Sequence, residues 1–139
     1  MSDTLYSLAV LRLAAEANGA GRLEAPDGSH TEHNPTCGDR VDVTLRLDAN
    51  GRIVAMAHEE SACVLAQASA SILGKHLEGA DASAIEHLRA QVAAMLREAK
   101  PVPAPFGDYA ALAGAATFRN RHNCVLLPID AVLDAFKDK

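Results

Sequence analysis

The sequence predicts an α+β fold: a small antiparallel sheet of about three strands covered by helices. Three observations predict it. Residues 40–48 alternate Val41, Val43, Leu45 and Leu47 with Asp42, Thr44, Arg46 and Asp48, the period of a half-buried strand. Asp48-Ala49-Asn50-Gly51 is a turn signal, and Arg52 to about Glu60 returns as the antiparallel partner. On both sides of this hairpin, apolar residues recur at helical spacing instead.

The elements follow in order. Leu5, Leu8, Val10, Leu11 and Leu13 predict a helix over 4–17, capped by Asp3 or Thr4 and stopped at Asn18-Gly19. Gly19, Gly21, Pro26, Asp27 and Gly28 mark a loop, with a short strand near 29–33. Residues 62–78 are apolar almost all round, which predicts a buried helix. Ser61 or Glu60 is its expected cap, placing Cys63 in the first turn, and Gly79 ends it. Ser83-Ala84-Ile85-Glu86 is a capping-box pattern. It opens a helix to about Ala99, with Ile85, Leu88, Val92 and Met95 or Leu96 on one face. Pro101, Pro103, Pro105 and Gly107 demand irregular chain, followed by a short helix over 108–114. Val125 to Phe136 predict a terminal helix with Pro128 near its start.

Composition narrows the function classes. The 139 residues are 49% apolar and 22% charged, as expected of one globular domain spanning 1–139. A net charge of −5 argues against nucleic-acid binding, and no apolar run reaches membrane-spanning length. The start, Met1-Ser2-Asp3-Thr4, lacks the basic region of a secretory leader. Three cysteines are too few for a disulfide framework, so the expectation is a cytoplasmic protein with reduced thiols.

The chemistry centres on Asn34-Pro35-Thr36-Cys37-Gly38-Asp39. In an extended chain, Cys37 and Asp39 would point to one face, with Gly38 removing a side chain that would crowd the backbone. The hairpin brings residue 60 back beside residue 40, and so delivers Cys63 near this pair. Cys63 at a helix start should ionise readily, and Cys124 also precedes a helix. With 25 residues between Cys37 and Cys63 and 60 between Cys63 and Cys124, spacing by itself is also compatible with three unrelated buried thiols. A converging Cys3Asp set would suit Zn2+ or an iron–sulfur cluster, since both take thiolates. Isolated His58 and His122 read as surface or hydrogen-bonded side chains rather than substitute ligands. His30, His33, His76 and His87 show no ligand spacing, and the carboxylates show no pairing for acid–base work.

These segments resemble a known family. Asn34 to Asp39, Ala62-Cys63 followed by Ala68-Ser69-Ala70-Ser71, and Arg121-His122-Asn123-Cys124 resemble the U-type iron–sulfur cluster assembly proteins, the IscU/NifU/SufU superfamily. The resemblance implies a SufE/NifU-like fold over nearly the whole chain. The long interval from Cys63 to Cys124, with Asn123 rather than a histidine before Cys124, resembles the SufU branch. That implies Zn2+ held by Cys37, Asp39, Cys63 and Cys124, with Arg121 as a nearby cation. It implies a sulfur-transfer role, sulfurtransferase-like, in which a SufS-type cysteine desulfurase frees Cys37 by supplying a replacement ligand. The persulfide would pass from Cys37 to a downstream scaffold. Alternative readings are a scaffold building a [2Fe–2S] cluster on the same residues, and a structural zinc module. Arg40 and Arg121 could offset the site's negative charge, whereas Arg119 reads as solvated surface. Where the family usually carries Gly-x-Gly before the second cysteine, this chain has Glu60-Ser61-Ala62, so the entry to the Cys63 helix should differ.

Overall fold

β1 (Gly28–Asn34), β2 (Asp39–Leu47) and β3 (Ile53–Ser61) form one antiparallel sheet in that order. The structure is a computed structural model that describes residues 7–34 and 38–137. Asn34 pairs with Asp39 at one end of β1 and β2, and Val41 pairs with Glu60 on β3. The alternation expected of β2 is present: Val41, Val43 and Leu45 are buried. Asp39 shares their face by the period of two, which is why a carboxylate is carried inward. The hairpin turn is held by the Asp48 carboxylate, which accepts from the N–H groups of Asn50 (2.8 Å) and Arg52 (3.0 Å). Residues 19–21 cover the outer edge of β3, with His58 N–H donating to Gly19 O and Gly21 N–H to His58 O.

Several helix boundaries differ from expectation, each for a local reason. α1 spans Leu8–Glu16 and is capped by Ser7, whose hydroxyl accepts from Val10 N–H. Asp3 and Thr4 lie outside the described residues. α1 ends at Ala17 in the left-handed conformation, one residue before the expected stop. α2 spans Val64–His76 and Cys63 itself is the N-cap residue, because β3 runs on through Glu60 and Ser61. α3 spans Ala82–Glu98, and Asp81 rather than Ser83 caps it, accepting from Ala84 N–H at 2.9 Å. A 3-10 helix occupies Gly107–Thr117, longer than expected, and a short one Arg119–Arg121 leads into α4, His122–Lys137. α4 starts three residues before Val125, so Pro128 lies inside it. The proline withholds the N–H that would bond the Cys124 carbonyl and crowds that turn. The next carbonyl, of Val125, accepts from the buried Ser69 hydroxyl (2.7 Å), and Tyr109 OH donates to Ser69 Oγ at 2.8 Å.

α4 packs on β1 and β2, α2 packs against α1 and α4, and α3 covers α4. The core between them includes Leu65, Ile72 and Leu73 of α2 and Val125, Ile129 and Val132 of α4. Gly74 permits the closest approach: a Cβ there would stand 1.9 Å from the Asn18 carbonyl oxygen. Among the described residues, no helix is long and apolar enough to cross a membrane.

Candidate metal centre

Three elements end at one place. Asp39 opens β2 on its buried face, Cys63 joins the end of β3 to α2, and Cys124 lies in the first turn of α4. A carboxylate oxygen of Asp39 and the sulfurs of Cys63 and Cys124 all lie within 4.8 Å of one another. Asp39 and Cys124 are buried and Cys63 is half-buried. Cys37 lies outside the described residues, together with Pro35 and Thr36. Gly38, at the border of the described residues, has φ +76°, and its N–H donates to Asn34 O at 2.8 Å. The expected common face of Cys37 and Asp39 therefore lies outside the described residues. A Cβ on Gly38 would meet nothing within 4 Å, so the glycine answers the left-handed backbone and not crowding. The entry to α2 uses no left-handed backbone. Glu60 and Ser61 continue the strand, and Cys63 is extended at φ −67°, ψ 166°.

The electrostatics favour ionised sulfur. The Cys63 thiol is lowered to about 7, chiefly because Cys124 hydrogen-bonds to its sulfur. Burial opposes this, the Ala66 amide adds to it, and the Asp39 carboxylate works against it. No side-chain hydrogen bond from Cys63 closes the first turn of α2, so the sulfur is not committed to capping. Asp39 Oδ1 accepts from Cys63 N–H at 3.2 Å. Its Oδ2 is buried and has no hydrogen-bond partner among the described residues, a costly condition unless a cation answers it. Tetrahedral zinc, with bonds of about 2.0–2.3 Å, holds its donors roughly 3.5 Å apart. Two sulfurs and one buried oxygen already gathered this closely fit that ion.

The remaining candidates are spoken for or lie elsewhere. His58 is buried, with Nδ1 2.7 Å from Glu60 Oε2 and Nε2 2.7 Å from the Asn18 carbonyl. His122 Nε2 donates to the Ala116 carbonyl at 3.0 Å. Arg40 pairs with Asp42 at the surface, Arg119 is exposed, and half-buried Arg121 ends the segment leading into Cys124. One expectation is corrected. Carboxylates do pair in space: Glu32 meets Asp134 beside His30, and burial together with Asp134 raises the Glu32 carboxyl to about 7. His30 and Glu32 at i, i+2 on one strand were a signal of this; Asp134, on the last helix, left none in local spacing.

Comparison with known proteins follows the same outline. Residues 5–125 match the family described as NifU-like N terminal domain. The chain is 33% identical over 128 residues to "Zinc-dependent sulfurtransferase SufU" of Bacillus subtilis (strain 168), covering 90% of this chain and 84% of that protein. It is 27% identical over 138 residues to "Iron-sulfur cluster assembly scaffold protein IscU" of Streptococcus pyogenes serotype M1, covering 96% and 83%. The crystal structure of a nitrogen-fixing NifU-like protein (N-terminal) from Brucella abortus superposes with a TM-score of 0.89 at 33% identity, covering 97% of this chain and 94% of that one. With a matching fold, a matching span and a gathered pair of thiols, the chain belongs to the NifU-like N-terminal domain family, whose members include iron–sulfur cluster assembly proteins of the IscU and SufU kinds.

Proposed function

We propose that this chain, acting as one domain over 1–139, is a zinc-dependent sulfur acceptor in iron–sulfur cluster assembly, with a SufS-type cysteine desulfurase as donor and a cluster scaffold as recipient. The observation that carries this reading is the convergence of Asp39, Cys63 and Cys124 around a buried carboxylate oxygen with no hydrogen bond. The 33% identity to a protein named as a zinc-dependent sulfurtransferase supports it. Cys37, Asp39, Cys63 and Cys124 would hold Zn2+, which keeps thiols deprotonated at neutral pH.

The chain's own residues do the rest. The Cys63 amide holds Asp39 Oδ1 and so fixes the carboxylate beside the sulfurs, with Oδ2 left for a cation. Cys124, immobile in α4, and Cys63, at the start of α2, serve as anchors. Cys37, which falls in sequence between β1 and β2 rather than within either strand or a helix, serves as the carrier. Its thiolate attacks the outer sulfur of the donor persulfide. The donor S–S bond breaks, the donor cysteine leaves as a thiolate, and Cys37 keeps the transferred sulfur with its proton. Arg121, three residues before Cys124, offsets negative charge at the site during this exchange.

The test is desulfurase turnover with zinc-loaded protein, followed by mass mapping of the added sulfur. Turnover should rise with the unmutated protein and not with Cys37→Ala, and the sulfur should map to Cys37. Arg121→Ala should lower transfer while the thermal melt stays unchanged. Sulfur on Cys124 or Cys63 overturns the role assignment. Absence of activation, with a stable [2Fe–2S] cluster on added iron and sulfide, replaces this reading with the scaffold. Absence of both leaves zinc as a structural ion.

A further inference from the structure

β1 and α4 meet along a polar seam that runs away from the thiols. Residues 34, 32 and 30 share one face of β1, and on α4 the seam is lined by Asn123, Leu127 and Asp130 and continues to Asp134. At the far end, His30 Nε2 stands 3.1 Å from Glu32 Oε1 and 3.6 Å from Asp134 Oδ2. One ligand-capable atom from each of the three lies within 4.8 Å of the others. Asp134 is ten residues past Cys124 on the same helix, so this cluster is about 15 Å from the thiol centre at 1.5 Å per residue.

The geometry points to a second cation site, His30–Glu32–Asp134, for a divalent first-row transition ion such as Mn2+ or Fe2+. Four observations carry it. Glu32 Oε1 is shut off from solvent and accepts no hydrogen bond among the described residues, although His30 Nε2 is only 3.1 Å away. That contact is too poorly aimed to satisfy the oxygen, but it places two donor atoms on one point. The spacings of 3.1 and 3.6 Å are close to the roughly 3 Å separating neighbouring ligands around an octahedral ion with bonds near 2.1 Å. The neighbouring Arg and Lys side chains of the described residues do not fill the centre of the cluster. Arg89 is bound to Asp130, and Lys137, itself exposed, reaches only the other oxygen of Asp134 at 3.6 Å. The three side chains are 26–34% exposed, so water can complete the coordination. An imidazole with two carboxylates and no sulfur selects against the soft ions that the thiol centre prefers. A bound cation would take the place of the proton through which Glu32 hydrogen-bonds to Asp134.

The test is Mn2+ titration followed by electron paramagnetic resonance, using zinc-loaded protein so that the thiols are already engaged. One Mn2+ per chain should bind saturably. His30→Ala and Glu32→Gln should each weaken binding by more than the roughly 10–100-fold that outer-shell changes produce. Asp130→Asn, which changes only the partner of Arg89, should leave it unchanged, as should Cys63→Ser. Glu32→Gln keeps the side-chain shape and so remains informative should His30→Ala fail to fold. Absence of saturable Mn2+ binding, binding indifferent to both seam variants, or binding lost in Cys63→Ser each overturns the second site. Because the readout is Mn2+ occupancy, it stands or falls apart from sulfur transfer.

Discussion

Among the acidic and basic side chains of the described residues, His58 and Asp39 are the two that are buried, and their surroundings are opposite. Both ring nitrogens of His58 face acceptors, Glu60 on one side and the Asn18 carbonyl on the other. A proton on each nitrogen suits that arrangement. Burial opposes the charge, but hydrogen bonding to Glu60, its negative charge and the Asn18 carbonyl together hold the His58 pKa above its usual value. Asn18 is tied in turn to Ser71 Oγ by its backbone N–H and its side-chain amide. This group closes on itself and joins the α1–β1 loop to β3 and α2. Asp39 has one oxygen answered and one left bare. A polar group satisfied within the chain serves folding; one left incomplete at a point where two sulfurs converge has room for something that arrives afterwards.

The largest way to break this comparison is to remove metal. Zinc bound at about 1,000 times its Kd stabilises by roughly 4 kcal/mol. A chelator should therefore lower the thermal midpoint by roughly 10–20 °C for a domain of this size. Asp39→Asn should shrink that difference while leaving the chelated midpoint within about 1 kcal/mol, because its carbonyl still accepts from Cys63 N–H. An identical melt with and without chelator would place Asp39 in the same class as His58.

Gly74→Ala attacks the closed group instead. The added methyl would stand 1.9 Å from the Asn18 oxygen that His58 needs, so the chain must shift. We expect a loss of about 3 kcal/mol, from overpacking and a weakened bond to a charged donor. Zinc stoichiometry in the folded fraction should be unchanged. Loss of zinc at an unchanged midpoint would reverse the assignment of the two regions.

The smallest effect is in pH. His58 is raised above its ordinary 6.5, so its contribution to stability is fully present below that value and is lost as pH climbs through the folded-state pKa. Glu32, raised to about 7, adds a decline of the same sign from about 4.5 to 7. The difference between wild type and His58→Gln across pH isolates the histidine, and it should narrow from 6.5 upward. A difference independent of pH would mean that His58 is neutral in the fold.

The strands and the donor types were legible because each is written in neighbouring residues. Alternation from Val41 to Leu47 marks β2, and Asp48 to Gly51 marks its turn. Caps were less legible. Ser7, Cys63 and Asp81 occupy the N-cap positions because of where the preceding segment ends, and β3 consumes Glu60 and Ser61 before they can serve. Pro128 reads as a helix start until Ser69 is seen answering the Val125 carbonyl beside it. His30, Glu32 and Asp134 escaped for a further reason: the edge strand and the last helix meet only after folding.

By itself, then, the sequence determined the sheet, the four long helices and the presence of three thiols and a carboxylate in one motif set, because period and turn chemistry act over a few residues. Only the tertiary structure decided that Asp39 keeps a bare oxygen beside Cys63 and Cys124, and that His58 is enclosed between Glu60 and Asn18. It alone decided that His30 and Glu32 face Asp134. Those facts depend on solvent exclusion and on distances between segments far apart in the chain. Local propensity carries no information about either.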